Sequence, residues 1–353
     1  MLPPLPAPPS ATGRRTLLRA GLAWAGGLGS AGRSTAADGA LTPAVLATPG
    51  PGSAVSTIPE LAVRLGADRE EGVALRLKFT GGGGIAIREV LSGNAQFGVF
   101  GLTAAMNENL KGPLLVALAA VEDRAPLSLV VRSGLRDSVR QVADLRGRVV
   151  GVHSNSATTT TNGQQVLALL LRQAGLQIDA VRVVAAGQSW ETQSAALRSA
   201  LVDAVVSEEP IGQQLAAAGL AYPLVRLGLT DQPPVGLPGE GFLRGTLMCT
   251  RALAEAEPAL AQRLVRVMQR TLAWRRTHSA EEVAARLGLA GDEARAMVEM
   301  LRRYPQQFSA DGRFSAAQLR ESEAFFRETL PAGSAAPPPL SAMVIDTWAG
   351  RKP

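Results

Sequence analysis

The sequence predicts two α/β lobes, each a mixed, mostly parallel sheet flanked by helices, followed by a helical C-terminal extension. Three observations lead there. From about residue 41 to 227, short β-branched runs alternate with stretches carrying apolar residues at three- and four-residue spacing, the pattern of βαβ units. A Pro/Gly-rich segment, 231–245, then breaks the alternation and reads as a loop. Beyond residue 251 the chain turns Ala-, Leu- and Arg-rich at helical spacing. With 353 residues, 46% of them hydrophobic, it can bury one large core or two modest ones.

Taken in order, strands are expected at 44–47, 74–79, 97–100, 114–121, 127–131, 149–152, 181–184, 204–206 and 224–227. Helices fall between them at 58–65, 85–91, 103–110, 164–174, 193–200 and 211–217, where the apolar period lengthens from two to about 3.6. One more strand is expected at 246–250, then helices at 258–277, 280–287, 292–304 and 315–329. Ser279-Ala280-Glu281-Glu282 is a capping box, in which hydroxyl and carboxylate each satisfy a free backbone N–H at the helix start. The Pro/Ala-rich stretch 331–339 reads as loose.

The first 37 residues read as an export signal. Arg14-Arg15-Thr16-Leu17-Leu18-Arg19 precedes a short Gly/Ala-rich apolar stretch, and Ser34 to Ala37 offer the small residues a signal peptidase needs. That layout fits a twin-arginine signal cleaved after Ala36 or Ala37 and places the mature protein in the periplasm. The formal charge of +6 looks like a nucleic-acid footprint until it is located. Arg14, Arg15, Arg19 and Arg33 account for four of those charges, leaving +2 on arginines interleaved with acids, as on solvated helix faces. Aromatic residues are only 4% of the chain, too few for base-stacking platforms, so no nucleic-acid partner is expected. Cys249 is the sole cysteine and His153 and His278 the only histidines, which excludes a disulfide and a cysteine-built metal cluster and leaves little for a catalytic triad. No metal or cofactor is expected.

Ligands of α/β sheets bind at the carboxyl ends of parallel strands, where glycine turns and helix N-termini expose N–H groups. Five such ends carry polar residues. Thr80-Gly81-Gly82-Gly83-Gly84 lets backbone approach a ligand closely, yet Ile85 and Ala86 stand where a P-loop needs Lys and Ser/Thr. Gly101-Leu102-Thr103 makes Thr103 a helix cap or a ligand donor. The run from His153 to Thr161, with Ser154, Ser156, Thr158 and Thr159, can hold an anionic or polar group without a full charge. Gln188 and Trp190 follow the next strand, the indole serving a ligand or interdomain packing. Glu208 and Glu209 precede Pro210 and either accept hydrogen bonds from a ligand amine or amide or remain a solvated pair. Neighbouring strand residues point to opposite faces, so these two carboxylates would not converge as an acid/base pair.

These residues resemble a periplasmic substrate-binding protein of an ABC importer, of the nitrate/sulfonate/taurine and thiamine-precursor-binding type. The resemblance covers about residues 44–330 and is carried by Leu91-Ser92-Gly93-Asn94-Ala95-Gln96-Phe97-Gly98-Val99, by Val142-Ala143-Asp144-Leu145-Arg146-Gly147-Arg148-Val149-Val150-Gly151-Val152 and by Ala196-Leu197-Arg198-Ser199-Ala200-Leu201-Val202-Asp203-Ala204. Gln96 stands where the family has Asp, and Ala200 where it has Gly. The resemblance implies a type II-like two-lobe fold, with residues 38–128 plus 235–353 as lobe 1 and 129–234 as lobe 2, closing around a small molecule that passes to a membrane permease. It implies ligand contacts from Thr80, Gly81, Gly82, Gly101 and Thr103 on one lobe and from Ser154 to Thr159, Gln188 and Glu209 on the other, with Ser53 or Thr57 added from the loop after the first strand. A monomeric binding protein and not an enzyme is the expectation. The alternatives are a desulfinase-like hydrolase on the same fold, using Cys249 or His153, and a ligand sensor for a membrane partner.

Overall fold

The computed structural model describes residues 40–352 except 52, 125, 157–158, 229–234, 331–333 and 335. The expected export signal, Thr158 and residues 231–234 of the expected loop therefore lie outside the described residues.

In chain order the elements are β1 (Thr42–Thr48), α1 (Thr57–Leu65), α2 (Ala67–Glu70), β2 (Val73–Phe79), α3 (Gly83–Leu91), β3 (Phe97–Gly101), α4 (Leu102–Asn109), β4 (Leu115–Glu122) and β5 (Leu127–Arg132). Next come β6 (Val149–Val152), α5 (Asn162–Gln173), β7 (Arg182–Ala185), α6 (Trp190–Arg198), β8 (Ala204–Glu208), α7 (Ile211–Ala217) and β9 (Ala221–Arg226). The chain ends with β10 (Gly245–Thr250), α8 (Arg251–Ala256), α9 (Pro258–Thr277), α10 (Ala280–Arg286), α11 (Gly291–Arg303) and α12 (Ala316–Thr329). The helix at Ala280 opens with the capping box read from the sequence.

Two five-stranded sheets form, in the orders β2-β1-β3-β10-β4 and β7-β6-β8-β5-β9. Each contains one reversed strand. β10 runs antiparallel to β3 and β4, and β5 antiparallel to β8 and β9. Those two strands lie at the chain's passages between sheets, after β4 and after β9, so the reversal is where the two lobes are joined. The central strand β3 is buried along its whole length and correspondingly reads as an unbroken run of apolar residues and glycine. The edge strand β2 alternates, turning Arg76 outward and blunting the edge with charge.

Cores lie on both faces of each sheet, because successive strand residues point opposite ways. Leu46 joins one cluster and Ala47 the other in the first lobe. Leu129 and Val131 face one core of the second lobe while Val130 faces the other. Helix α12 serves both lobes: Phe325 stacks on Phe242 at 4.0 Å within the second lobe's core, and Phe326 enters the first lobe's core.

The structure extends two expectations. β9 starts at Ala221, not 224, although Pro223 lies inside it; as an edge strand it has no second neighbour needing the missing N–H, and Tyr222 anchors it by donating to Val139 O. Between β10 and α9 the chain forms the short helix α8, capped by Thr250, whose hydroxyl accepts from Leu253 N.

Among the described residues Ala200 is the one non-glycine with positive φ, at 56°, after α6. A Cβ there crowds the following carbonyl, which glycine avoids. Ala200→Gly is expected to raise unfolding stability by about 0.5–1 kcal/mol, after the greater freedom of glycine in the unfolded chain is subtracted. Urea denaturation at unchanged m-value checks this, and a loss of stability would refute it.

A candidate ligand site at the seam between the lobes

The strand ends meet along a seam. On the first lobe, β2 runs into Thr80-Gly81 and α3 starts after an N-cap Gly82, while α4 starts after an N-cap Gly101; neither cap supplies a side chain to the free N–H groups behind it. Thr103, expected as a cap, is instead inside α4. On the second lobe α5 is capped by Thr161, which accepts from Gln164 N at 3.1 Å, and α6 by Ser189.

The two sides interlock through polar contacts. Asn155 N donates to Gly81 O at 2.9 Å. Thr103 Oγ1 donates to Gln165 Oε1 at 2.6 Å and accepts from Asn162 Nδ2 at 2.8 Å, and Gln165 Nε2 donates to Thr103 O at 3.3 Å. The first lobe's glycines make room for this. A Cβ on Gly101 would lie 1.5 Å from Asn162 Oδ1, one on Gly84 2.4 Å from Thr159 Cβ, and one on Gly81 2.3 Å from Asn155 Nδ2. Gly82 meets Ser154 Oγ, and Gly50 meets Gln188 Oε1, at 3.1 Å by the same measure. The lobes are thus shown closed on each other, with glycines as sockets for polar side chains.

Deeper in, Arg244 bridges the lobes. Its guanidinium donates to Glu122 at the end of β4 and to Glu208 at the end of β8, all three being buried. Gln307 Nε2 steadies Glu122 from 3.0 Å. Burial pushes the Glu122 carboxyl upward against the pull of Arg244. The second oxygen of Glu208 faces His153 Nε2 at 3.9 Å, beyond hydrogen-bond reach.

The tautomer of that histidine follows from its neighbours. Ser207 Oγ donates to Gln193 Oε1 at 2.8 Å, which turns the Gln193 amide so that its Nε2 donates to His153 Nδ1 at 2.9 Å. The neutral ring therefore carries its proton on Nε2, aimed at Glu208. Burial holds the His153 pKa below the ordinary 6.5. Thr159 Oγ1, Gln188 Oε1, His153 Nε2, Glu208 Oε2 and Arg244 Nε are buried without a protein partner among the described residues. Such polar atoms on facing lobes are what a small polar molecule would satisfy.

Of the residues singled out from sequence, Gly81, Gly82, Gly101, Thr103, Ser154, Thr159, Gln188 and Glu208 stand along this seam. Others are engaged locally. Ser53 Oγ donates to Gly50 O, Thr57 Oγ1 to Ser53 O, Thr80 Oγ1 to Thr48 O and Gly82 O, and Ser156 N donates to Ser154 Oγ. Glu209 points away from Glu208: it accepts from Ser128 Oγ, from Gln213 N at 2.8 Å and from Tyr304 OH at 3.5 Å, and burial raises its pKa. Trp190 is half-buried in a groove of about 540 Å³ between α6, α7 and α11. Glu122, Arg244, Asn162, Gln165 and Gln193 were not read from the sequence, for each gains its role from a partner distant in the chain. Among the described residues no group of three or more His, Cys, Asp or Glu is arranged to hold a metal ion.

Two α/β lobes joined by paired crossovers, meeting at glycine-lined strand ends, define the two-lobe periplasmic-binding-protein fold. The family described as NMT1/THI5 like matches residues 61–282, more than half the chain, and the protein belongs to that family. No curated protein matches it in sequence. Among solved structures it is similar to a protein of Bordetella bronchiseptica RB50, at 21% identity and TM-score 0.79, over 87% of this chain and 96% of that one. It is also similar to the alkanesulfonate-binding protein SsuA of Xanthomonas axonopodis pv. citri bound to MOPS, at 18% identity and TM-score 0.65, over 87% of this chain and 100% of that one. A third is the periplasmic nitrate-binding protein NrtA of Synechocystis PCC 6803, at 12% identity and TM-score 0.64, over 86% of each chain.

Gly101 has φ −64°, which alanine adopts freely, so Gly101→Ala tests the socket alone. The variant is expected to hold the lobes apart, enlarging the radius of gyration in X-ray scattering, and adding Asn162→Ala is expected to restore the closed dimensions. Unchanged scattering in the single variant would refute the interlock. His153 provides a second test. Its folded pKa lies below its unfolded one, so its contribution is intact above 6.5 and is lost as pH falls below it, when only the unfolded chain takes the proton. The raised pKa of Glu209 acts oppositely, so the informative quantity is a difference. On acidification from about pH 7.5 to about pH 5.5, the parent is expected to lose more melting temperature than His153→Gln; equal losses would count against a buried neutral ring.

Proposed function

We propose that the protein is the periplasmic solute-binding component of an ABC importer, exported by the twin-arginine route through Arg14-Arg15, and that it acts as a monomer delivering its ligand to a membrane permease. In this reading residues 38–128 with 235–353 form one lobe and 129–234 the other. The ligand is a small polar or anionic organic molecule: a sulfonate, a carboxylate or a pyrimidine-like compound. The observation that carries the reading is the seam, where uncapped helix N-termini and glycines face buried, unpartnered polar atoms across a hinge.

The uncapped start of α3 suits an oxyanion, since a helix N-terminus offers free N–H groups and the positive end of its dipole, whereas at α4 the first N–H, that of Leu102, is taken by Arg244 O. Glu208 Oε2 suits a donor such as a ring amino group. Ligand contacts are assigned to Gly81, Gly82, Gly101, Thr103, Ser154, Ser156, Thr158, Thr159, Gln188 and Glu208, with Ser53, Thr57 and Thr80 shaping the loops beneath them and Trp190 and Glu209 toward α11. Affinity for the closed form over the open one is what drives closure.

A binding role, rather than catalysis, is supported by the two side chains an enzyme would use. Cys249 is buried in β10, where burial pushes its thiol up to about 12, so a thiolate nucleophile is suppressed. The His153 Nδ1, the position a base would use, is already engaged by Gln193.

The test is mass spectrometry of small molecules released from the exported protein, followed by thermal-shift titration with each. A true ligand at a hundred times its dissociation constant is expected to add about 2.7 kcal/mol. A panel of sulfonates, carboxylates and pyrimidines that leaves the transition unmoved would overturn the proposal.

A further inference from the structure

Beside the first crossover lies a groove of about 360 Å³, distinct from the seam. Its walls are Arg124, just past the end of β4, Arg275 and Arg276 at the end of α9, and the loop bearing Pro305 and Phe308, with Gln318 of α12 completing it. The backbone holds this arrangement firmly. Asp123 N and Arg124 N both donate to Gln307 O, at 2.7 and 3.2 Å, and Ser309 N donates to Val121 O at 3.0 Å.

The charge here is unbalanced. Asp123, the groove's one carboxylate, is taken by Lys352 Nζ at 2.9 Å. Arg124, Arg275 and Arg276 each lack a carboxylate within ion-pair distance among the described residues. The Arg275 guanidinium carbon sits 5.2 Å from the centre of the Phe308 ring, half-buried, and desolvation without a countercharge lowers its pKa. A cation near a helix C-terminus gains from the helix dipole, which accounts for Arg275 and Arg276 as ordinary features. It does not account for Arg124, which comes from another element and opens onto the same groove.

We propose that this groove is a binding site for a small oxyanion, a phosphate or a carboxylate-bearing metabolite, held by the guanidiniums of Arg124, Arg275 and Arg276 over Phe308. Guanidinium forks match the paired oxygens of either group, and stacking on the phenyl face leaves the Arg275 N–H edge free to donate. The site takes its ligand independently of the seam.

Isothermal titration of the exported protein in a chloride-only buffer, with inorganic phosphate in one arm and citrate in the other, tests it. Saturable binding in at least one arm is expected, with the tighter arm identifying the source of the oxyanion. Arg275→Gln/Arg276→Gln is expected to weaken that binding at least tenfold, and Arg124→Gln, a change at an exposed side chain that leaves the core untouched, to weaken it several-fold. Arg295→Gln, on α11 and away from the groove, is expected to change nothing. Failure of both anions to saturate by about 10 mM, or equal binding by parent and the Arg124 and Arg275/Arg276 variants, overturns the proposal.

Discussion

The closed arrangement depends on one buried guanidinium shared by two carboxylates. Arg244 lies immediately before β10, on the chain's return from the second lobe, and holds Glu122 of the first sheet and Glu208 of the second. Three charges taken out of water are costly, and such a group adds little to stability relative to a well-packed apolar one. Its effect is specificity: losing one partner leaves an uncompensated buried charge, at a cost of about 3–5 kcal/mol, so the lobes are held to the one relative position that keeps all three together. Leu102 N donating to Arg244 O, and Arg244 N to Glu122 O, tie the same residue to the start of α4 and the end of β4. The ion group and the seam are therefore one mechanical unit.

Around that group the seam divides its labour unevenly. The first lobe contributes backbone: glycines at 50, 81, 82, 84 and 101 with open helix starts behind them. The second contributes side chains: Ser154, Asn155, Thr159, Asn162, Gln165 and Gln188. Backbone donors are fixed by the fold, whereas side chains can rotate and be exchanged without disturbing a sheet.

Much of the fold is legible in the sequence, because hydrophobic period and strand-end glycines are local signals. The strands and longer helices fall where period and β-branching placed them, and the run Thr80 to Gly84 announced a close backbone approach. Glu208 and Glu209 diverge as strand alternation predicts, although Glu209 stands in the turn just past β8. What stayed hidden is what only tertiary proximity creates. Nothing near Arg244 in sequence marks it as a bridge, since its partners are 122 and 36 residues away. Thr103 reads from the sequence as a cap or a ligand donor, and its actual partners Asn162 and Gln165 lie some 60 residues on. β9 begins three residues before the expected start, with Pro223 tolerated inside it because the strand lies on an edge.

Helix α12 gives the hinge a third attachment besides the two crossovers. Phe325 and Phe326 are adjacent, about 100° apart around the helix, and each is committed to a different lobe's core. Opening the lobes must therefore twist this rod or slide one ring from its socket, so the helix behaves as a torsion spring whose rest position is set by packing. The same placement makes α12 intolerant of a single inserted residue there, which would turn one aromatic ring toward water.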